Sequence, residues 1–451
     1  MSMVRNVPIG PRLPIGPRLS IVPRVVWVLI GALVVVGFGG LLLADRLEDT
    51  EYLPLEHPAI LYTEAKNGDP AGQLAEKLDQ GRVKLAFANN GTGYLVSLLK
   101  ELRIPIESQV LVFSRTSIQA KHISPRTPRA IYFNDGVSVG FVQYGEVLEI
   151  TSLDPVKGVK MYTLDAEQHP KPVTARRDDC LQCHQGPATL GIPGLLISSV
   201  HPSVAGARPE HGSAYMTDHR SALNQRFGGW LITGTHGEQF HQGNNPQLAD
   251  PIRPGPELRE GTQNVIDLGG KLDISRYPAG SSDIVAMMTL EHQVRMTNLL
   301  VRLGWETRMG LQEGKLPSDE KAKEVIANIA EEVTGYMLFS GEAALREPIA
   351  GISTFNKTFA ARGPRDRQGR SLRDFDLKTR LFRYPLSYMI YSAAFDQLPK
   401  YAREVIYQDL HGVLSGKGQA KPYAHLSSED RQAILQIVRA TKKDLPEYWS
   451  N

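Results

Sequence analysis

The chain has 451 residues, of which 41% are hydrophobic and 22% are charged, a composition typical of globular proteins. Its formal net charge is +3 and it has no long run of like charge, which argues against nucleic acid and soluble acidic polymers as partners. This length indicates one large domain or about two to three smaller ones.

The N-terminal segment predicts a membrane anchor. Residues 1–24 are basic, rich in proline and glycine and free of acidic residues, so we expect an extended cytoplasmic arm. Residues 25–43 carry no charge and as a helix would be about 28 Å long, just enough to cross the hydrocarbon core. A cleaved signal peptide is the alternative, but Leu42-Leu43-Ala44 is a poor cleavage site. The positive-inside rule then predicts a single-pass protein of the cytoplasmic membrane, with the rest of the chain on the periplasmic side.

Three regions follow the anchor and together predict an α+β fold. Residues 53–164 are rich in strand signals, with a short helix over 71–78 and a hairpin turn at Asn134-Asp135-Gly136. Residues 165–280 are rich in Gly, Pro and His and lack regular periodicity, so we expect loops that are organised by a bound cofactor. The last region, 281–451, predicts helices over 281–303, 319–336, 385–398, 401–414 and 427–441.

The motif Cys180-Leu181-Gln182-Cys183-His184 predicts covalent attachment of one c-type haem. Cys180 and Cys183 are the only cysteines of the chain, and a disulfide between them would close too small a loop to add much stability. The spacing allows both thiols to reach the vinyl groups of one porphyrin, with His184 as the proximal ligand of the iron.

Two other interpretations compete with haem attachment. Cys180 and Cys183 could bind zinc together with His236 and His241, but the two pairs are much farther apart in the sequence than in a zinc finger. A redox-active Cys-x-x-Cys belongs at the start of a helix after a strand, and no βαβ pattern surrounds this one.

The sixth ligand of the iron has three main candidates. His236 lies between glycines, which would let the backbone approach a flat macrocycle, and His241 follows five residues later. His292 lies on a predicted helix, on an apolar face that also contains Val285, Met288, Met296, Leu299 and Leu303. A histidine on such a face is more often a hydrogen-bonded core residue, and an open sixth position remains an alternative, as do His201, His211 and His219.

These motifs together resemble a family of uncharacterised bacterial proteins with a single-haem cytochrome c domain. The resemblance extends over about residues 53–449 and rests on Phe133-Asn134-Asp135, Cys180 to His184, Thr217-Asp218-His219, Gly228-Gly229-Trp230, Thr233 to Gly237, and Arg380 to Pro385. It implies haem binding and electron transfer and supplies no substrate. Gln242 stands where we expect a methionine in similar sequences, which argues against methionine ligation from this loop.

Two functions follow from these expectations. The first is a membrane-anchored cytochrome that passes electrons between periplasmic or membrane redox partner proteins. The second arises because roughly 400 residues are far more than one haem needs for packing. It is a c-haem enzyme, peroxidase- or oxidoreductase-like, or a gas or redox sensor, with an open sixth iron position and His236 or His241 as an acid–base group.

Overall fold

The computed structural model describes residues 51–64, 68–200, 215–245, 264–269, 272–417 and 421–450. The predicted arm (1–24) and the predicted anchor (25–43) lie outside these ranges. Within them, no helix is both long enough and apolar enough to span a membrane. The described residues belong to one compact unit with an α+β fold, strand-rich in its first half and helical in its C-terminal part, as predicted.

A seven-stranded antiparallel sheet, in the order β6-β5-β4-β3-β2-β1-β9, lies at the centre of the described chain. Its strands are β1 Val110–Val112, β2 Arg129–Phe133, β3 Val137–Phe141, β4 Val147–Asp154, β5 Gly158–Asp165, β6 Thr174–Arg176 and β9 Trp230–Leu231. Strands β7 Ser198–Ser199 and β8 Tyr215–Met216 pair separately with each other. Because β6 pairs with β5 and β9 pairs with β1, the loop-rich middle region contributes both edge strands of the sheet.

The predicted hairpin is formed by β2 and β3. The side-chain Oδ1 of Asn134 accepts hydrogen bonds from the backbone N–H groups of Gly136 and Val137, at 3.0 and 2.9 Å. This Asx turn reverses the chain and fixes the register, in which Tyr132 lies opposite Val139.

The helices of the described chain are α1 Pro70–Asp79, α2 Leu95–Glu101, α3 Leu181–His184, α4 Ile284–Gln312, α5 Glu320–Met337, α6 Phe355–Ala361, α7 Ala393–Asp396, α8 Lys400–Leu414 and α9 Ser428–Thr441. Helices α1 and α2 cover one face of the sheet with buried leucines. Helix α4 and the helices packed around it cover the other face and form the larger core.

Helix α4 is longer than predicted and is buried on almost every side. Its first turn is capped by Asp283, whose side chain accepts from the N–H groups of Val285 and Ala286. The predicted end near residue 303 is wrong because the buried Gly304, beside Leu398, continues the helix. The predicted single apolar face is also too narrow, since polar residues such as Thr289 and Gln293 are buried as well.

Most other helix predictions are confirmed, and one is wrong. Helices α1, α5, α8 and α9 lie where they were expected, and Ser427 and Asp430 form the predicted capping box of α9. The helix predicted over 385–398 is replaced by a short 3₁₀ turn and α7. Ser387 caps the first and Ser392 caps the second, so two short elements form where one helix was expected.

Candidate functional site

The Cys-x-x-Cys-His motif lies on a single helical turn. A 3₁₀ turn over Asp178–Cys180 leads directly into α3, which contains Cys183 and ends at His184. Both thiols are free. The side chain of Cys180 is partly buried against the larger core, whereas Cys183 is exposed. The two thiols are therefore about one helical turn apart, next to the imidazole.

The His184 side chain has a defined orientation. Its Nδ1 lies 3.0 Å from the backbone carbonyl oxygen of Gly194. A carbonyl oxygen can only accept a hydrogen bond, so Nδ1 must carry the proton and Nε2 keeps its lone pair. Burial lowers the pKa of His184, which keeps the ring neutral near pH 7. A neutral imidazole with an available Nε2 is the form that ligates a metal.

A charged pair on the sheet, Arg129 and Glu149, lies near the motif. Glu149 accepts hydrogen bonds from Arg129 Nη1 and Gln119 Nε2, both at 2.8 Å, and from Ser117 Oγ at 2.5 Å. Burial alone would raise the pKa of Glu149, but Arg129 and these hydrogen bonds outweigh it, so the pKa is lowered. The carboxylate is therefore ionised near pH 7.

The same face of the sheet carries the motif and the charged pair. Cys180 and Leu181 pack against the core cluster that contains Met161 of β5. Glu149 lies on the neighbouring strand opposite Thr163, two residues from Met161 and therefore on the same face. Glu149 and Arg129 also act electrostatically on the pKa of His184, in opposite directions. These two charges of the sheet therefore lie close enough to act on the imidazole of the motif.

The two arginines that precede the motif are paired within the chain. Arg176 Nε donates to Asp178 at 2.8 Å, and its guanidinium lies over the ring of Tyr62. Arg177 makes two hydrogen bonds to Asp179, at 2.9 and 2.6 Å. Each arginine therefore has a carboxylate partner two residues away.

His236 and His241 lie together in the interior. Both are almost fully buried, and their ring centroids are 4.6 Å apart. His241 Nδ1 accepts from the N–H of Gly243 at 3.0 Å, which places the proton of the neutral ring on Nε2. Burial, reinforced by His236, lowers the pKa of His241 to about 3. In this tautomer, His241 Nε2 has no lone pair to offer a metal.

His292 has both ring nitrogens engaged. Nε2 lies 2.7 Å from Ser387 Oγ, and Nδ1 lies 2.8 Å from Nδ1 of His219. The ring stacks against Tyr336 and Phe339 and is completely buried. Its environment is that of a hydrogen-bonded core histidine.

Beside this histidine pair lies a buried ion pair that the sequence did not reveal. Arg226 Nη1 is 3.4 Å from Glu291 Oε2, and both side chains are almost fully buried. Burial raises the pKa of Glu291 to about 7 despite the nearby arginine. Glu291 precedes His292 on α4, but an acid in a helix gives no sequence signal for such a partner 65 residues away.

The sequence-predicted residues do not form one metal cluster in the part of the chain that the structure describes. No group of three or more His, Cys, Asp or Glu side chains there is arranged so that it could hold a metal ion. This finding includes the set Cys180, Cys183, His236 and His241 that the zinc interpretation required. His201 and His211 lie outside the described residues.

No family model, no curated protein and no solved structure matches this chain. The chemistry of the site is therefore inferred from the geometry of its residues alone. Two free thiols and one neutral, oriented imidazole lie on a single helical turn, and an ionised carboxylate and its arginine lie on the same face of the sheet.

Proposed function

We propose that the protein is a membrane-anchored c-type cytochrome that binds one covalent haem and transfers electrons outside the cytoplasmic membrane. The observation that supports this most strongly is the hydrogen bond from His184 Nδ1 to the carbonyl oxygen of Gly194. It leaves the lone pair on Nε2, and the same short helical segment carries the two free thiols of Cys180 and Cys183.

The residues present fit a covalently attached haem. The exposed Cys183 and the half-buried Cys180 would form the two thioether bonds, and His184 would be the proximal ligand of the iron. The haem iron would supply reversible one-electron chemistry. The chain itself orients the imidazole, keeps it neutral by burial and places one negative and one positive charge on the nearby sheet.

An enzyme or sensor with an open sixth iron position is the second proposal, and one observation favours it. Two of the three candidate sixth ligands are poorly arranged to bind iron. His292 has both ring nitrogens engaged in hydrogen bonds, and His241 carries its proton on Nε2. Exposure of the ferrous protein to carbon monoxide distinguishes the two proposals. Rapid uptake favours the enzyme or sensor, and no uptake favours the electron carrier.

The location and partners are part of the same proposal. Residues 25–43 would anchor the chain in the cytoplasmic membrane, with the described residues on the periplasmic side. Partner proteins would then be periplasmic or membrane-bound redox proteins. Fractionation of cells that express the full chain tests this proposal, and recovery in the soluble cytoplasmic fraction would contradict it.

Haem attachment is tested by producing the full chain in a host that assembles c-type cytochromes. We expect a denaturing gel to retain haem stain and the intact mass to exceed that of the polypeptide by one haem. Cys180→Ser with Cys183→Ser should abolish covalent attachment, and His122→Ala, a change at a half-exposed histidine, is the control. A colourless protein with the mass of the bare polypeptide would overturn the proposal.

A further inference from the structure

The loop that holds His184 is attached to it by two hydrogen bonds at one residue. Gly194 donates its N–H to the carbonyl oxygen of His184 at 2.9 Å, and its own carbonyl oxygen accepts from His184 Nδ1 at 3.0 Å. The position of one peptide unit therefore decides which nitrogen of the imidazole carries the proton and how the ring is turned.

Asn298 of helix α4 fixes the residue that follows. Its Oδ1 accepts from the N–H of Leu195 at 2.9 Å, and its Nδ2 donates to the carbonyl oxygen of Leu195 at 2.8 Å. Because the carbonyl of Gly194 and the N–H of Leu195 belong to one peptide unit, Asn298 holds the very group that accepts from His184. The amide is 1% exposed, so water does not compete with these hydrogen bonds.

The close approach of Asn298 to this loop depends on glycine at position 194. A Cβ atom there would lie 2.6 Å from Asn298 Oδ1 and 3.0 Å from the Cβ of the buried Thr189. Asparagine is also a poor residue for a helix interior, since its side chain competes for backbone hydrogen bonds. Gly194 and Asn298 are therefore both explained by the contact between the loop and helix α4, and helix formation alone does not explain an asparagine at position 298.

We infer that Asn298 is a positioning residue for the imidazole of His184. It holds the Gly194–Leu195 peptide so that Nδ1 stays protonated and Nε2 keeps the lone pair that would bind the iron. A hydrogen bond from Nδ1 to a fixed acceptor makes Nε2 a stronger electron donor, which stabilises the oxidised iron. The consequence for the iron rests on the proposed function, whereas the orientation of the imidazole does not.

Helix α4 supplies a matched control on the same element. Gln293 is also a buried amide with both ends engaged, donating to Asn134 and accepting from Tyr388. Neither hydrogen bond involves the loop of Gly194, so Gln293→Ala removes a comparable pair of hydrogen bonds elsewhere. A general loss of stability in α4 would therefore affect both variants alike.

The test follows the Nδ1 proton of His184 in full-length protein labelled with ¹⁵N at histidine, in the haem-loaded ferrous state or, if no haem is bound, as the bare polypeptide. We expect this proton to exchange slowly in the unmodified chain and in Gln293→Ala. In Asn298→Ala it should exchange at least tenfold faster. Asn298→Asp, which keeps the acceptor for Leu195 but loses the donor, should be intermediate and covers the case in which the alanine variant does not fold.

Reduction potentials give the second measurement. In haem-loaded protein we expect Asn298→Ala to have a more positive potential than the unmodified chain, and Gln293→Ala to be unchanged. Equal exchange rates and equal potentials in the Asn298 and Gln293 variants would overturn the inference. Absence of haem would contradict the proposed function alone, because the exchange of the Nδ1 proton would still decide the role of Asn298.

Discussion

The Nδ1 atoms of His219 and His292 lie 2.8 Å apart in the buried core, so one ring must donate and the other accept. Ser387 Oγ lies 2.7 Å from the other nitrogen of His292. Ser387, His292 and His219 therefore form a chain of hydrogen bonds in which each ring supports the next. For His292 to bind a metal, at least one of these hydrogen bonds would have to break in the interior.

We expect His292→Ala to destabilise the fold without changing the ligation of a haem. The change leaves a cavity and removes the partners of His219 and Ser387, which should cost about 3 kcal/mol or more in the free energy of unfolding. Denaturant unfolding and the low-spin absorption spectrum measure the two effects. Met296→Ala, a change at a buried residue of the same helix, is the control. A high-spin spectrum in His292→Ala alone would identify His292 as a ligand after all.

Local signals predicted the elements that depend on local contacts. Asp319 and Ser427 cap the starts of α5 and α9, and Asn134 forms the hairpin turn, each through hydrogen bonds to residues two or three positions away. The failure over 385–398 has the same origin, because Ser387 and Ser392 each start a separate turn. Apolar periodicity alone did not distinguish these turns from one helix.

Contacts between residues far apart in the sequence could not be predicted from such local signals. The Cys-x-x-Cys-His spacing predicted two thiols and an imidazole that act together, and the structure has all three on a short helical segment that was not predicted. The acceptor for His184 lies ten residues later, and Asn298 lies a further 104 residues on. Nothing in the sequence around Asn298 differs from an ordinary buried helix, so its contact with Leu195 required the tertiary structure.

Acid should destabilise the fold through its buried histidines. Burial lowers the pKa of His292 to about 3, and burial together with His236 lowers that of His241 to about 3. Between the ordinary pKa of about 6.5 and about 3, the unfolded chain binds a proton that the folded chain does not. Stability is therefore lost as the pH falls through this window, by up to about 1.4 kcal/mol per pH unit for each histidine.

Urea unfolding of His241→Gln between pH 4 and 7 measures this contribution, because glutamine does not titrate. We expect the variant to lose stability less steeply than the unmodified chain as the pH falls. His122→Gln, at a half-exposed histidine, should follow the unmodified chain. Parallel curves for His241→Gln and the unmodified chain would show that His241 has the same pKa in the folded and the unfolded chain, contrary to this prediction.

Glu291 should act in the opposite direction. Burial raises its pKa to about 7, so between about 4.5 and 7 the folded chain binds a proton that the unfolded chain has released. Its contribution to stability is therefore lost as the pH rises through this window, by up to about 3 kcal/mol. Glu291→Gln also leaves the buried Arg226 without its anion, which costs stability at every pH. Because glutamine resembles the protonated carboxyl at every pH, the free energy of unfolding of the variant should nevertheless rise relative to that of the unmodified chain between pH 5 and 8.

Arg226→Gln provides the complementary measurement. It leaves Glu291 buried without its cation, which should cost about 3–5 kcal/mol at pH 8 and less at pH 5, where the carboxyl can be protonated. Denaturant unfolding at pH 5 and pH 8 of Glu291→Gln, Arg226→Gln and the double variant measures these costs. A cost in Arg226→Gln that does not change with pH would show that the carboxyl of Glu291 keeps one charge state from pH 5 to 8 and would contradict this prediction.

The charged pair on the sheet should tune the potential of a haem held by His184. Glu149 is ionised, so Glu149→Gln removes a negative charge from the face that carries the motif and should make the reduction potential more positive. For charges about 10–15 Å apart at an effective dielectric constant of about 20, the interaction is about 1–2 kcal/mol. This corresponds to a shift on the order of 50 mV for a one-electron couple.

Two further variants separate this charge effect from a structural one. Arg129→Lys keeps the positive charge and should leave the potential close to that of the unmodified chain. The double variant Glu149→Gln with Arg129→Gln removes one charge of each sign. Its potential should therefore lie closer to that of the unmodified chain than to that of Glu149→Gln. Spectroelectrochemical titration of all three at low and high salt measures the shifts. Because the pair is largely buried, salt should change them little, and a shift that salt abolishes would place Glu149 in solvent, away from the haem.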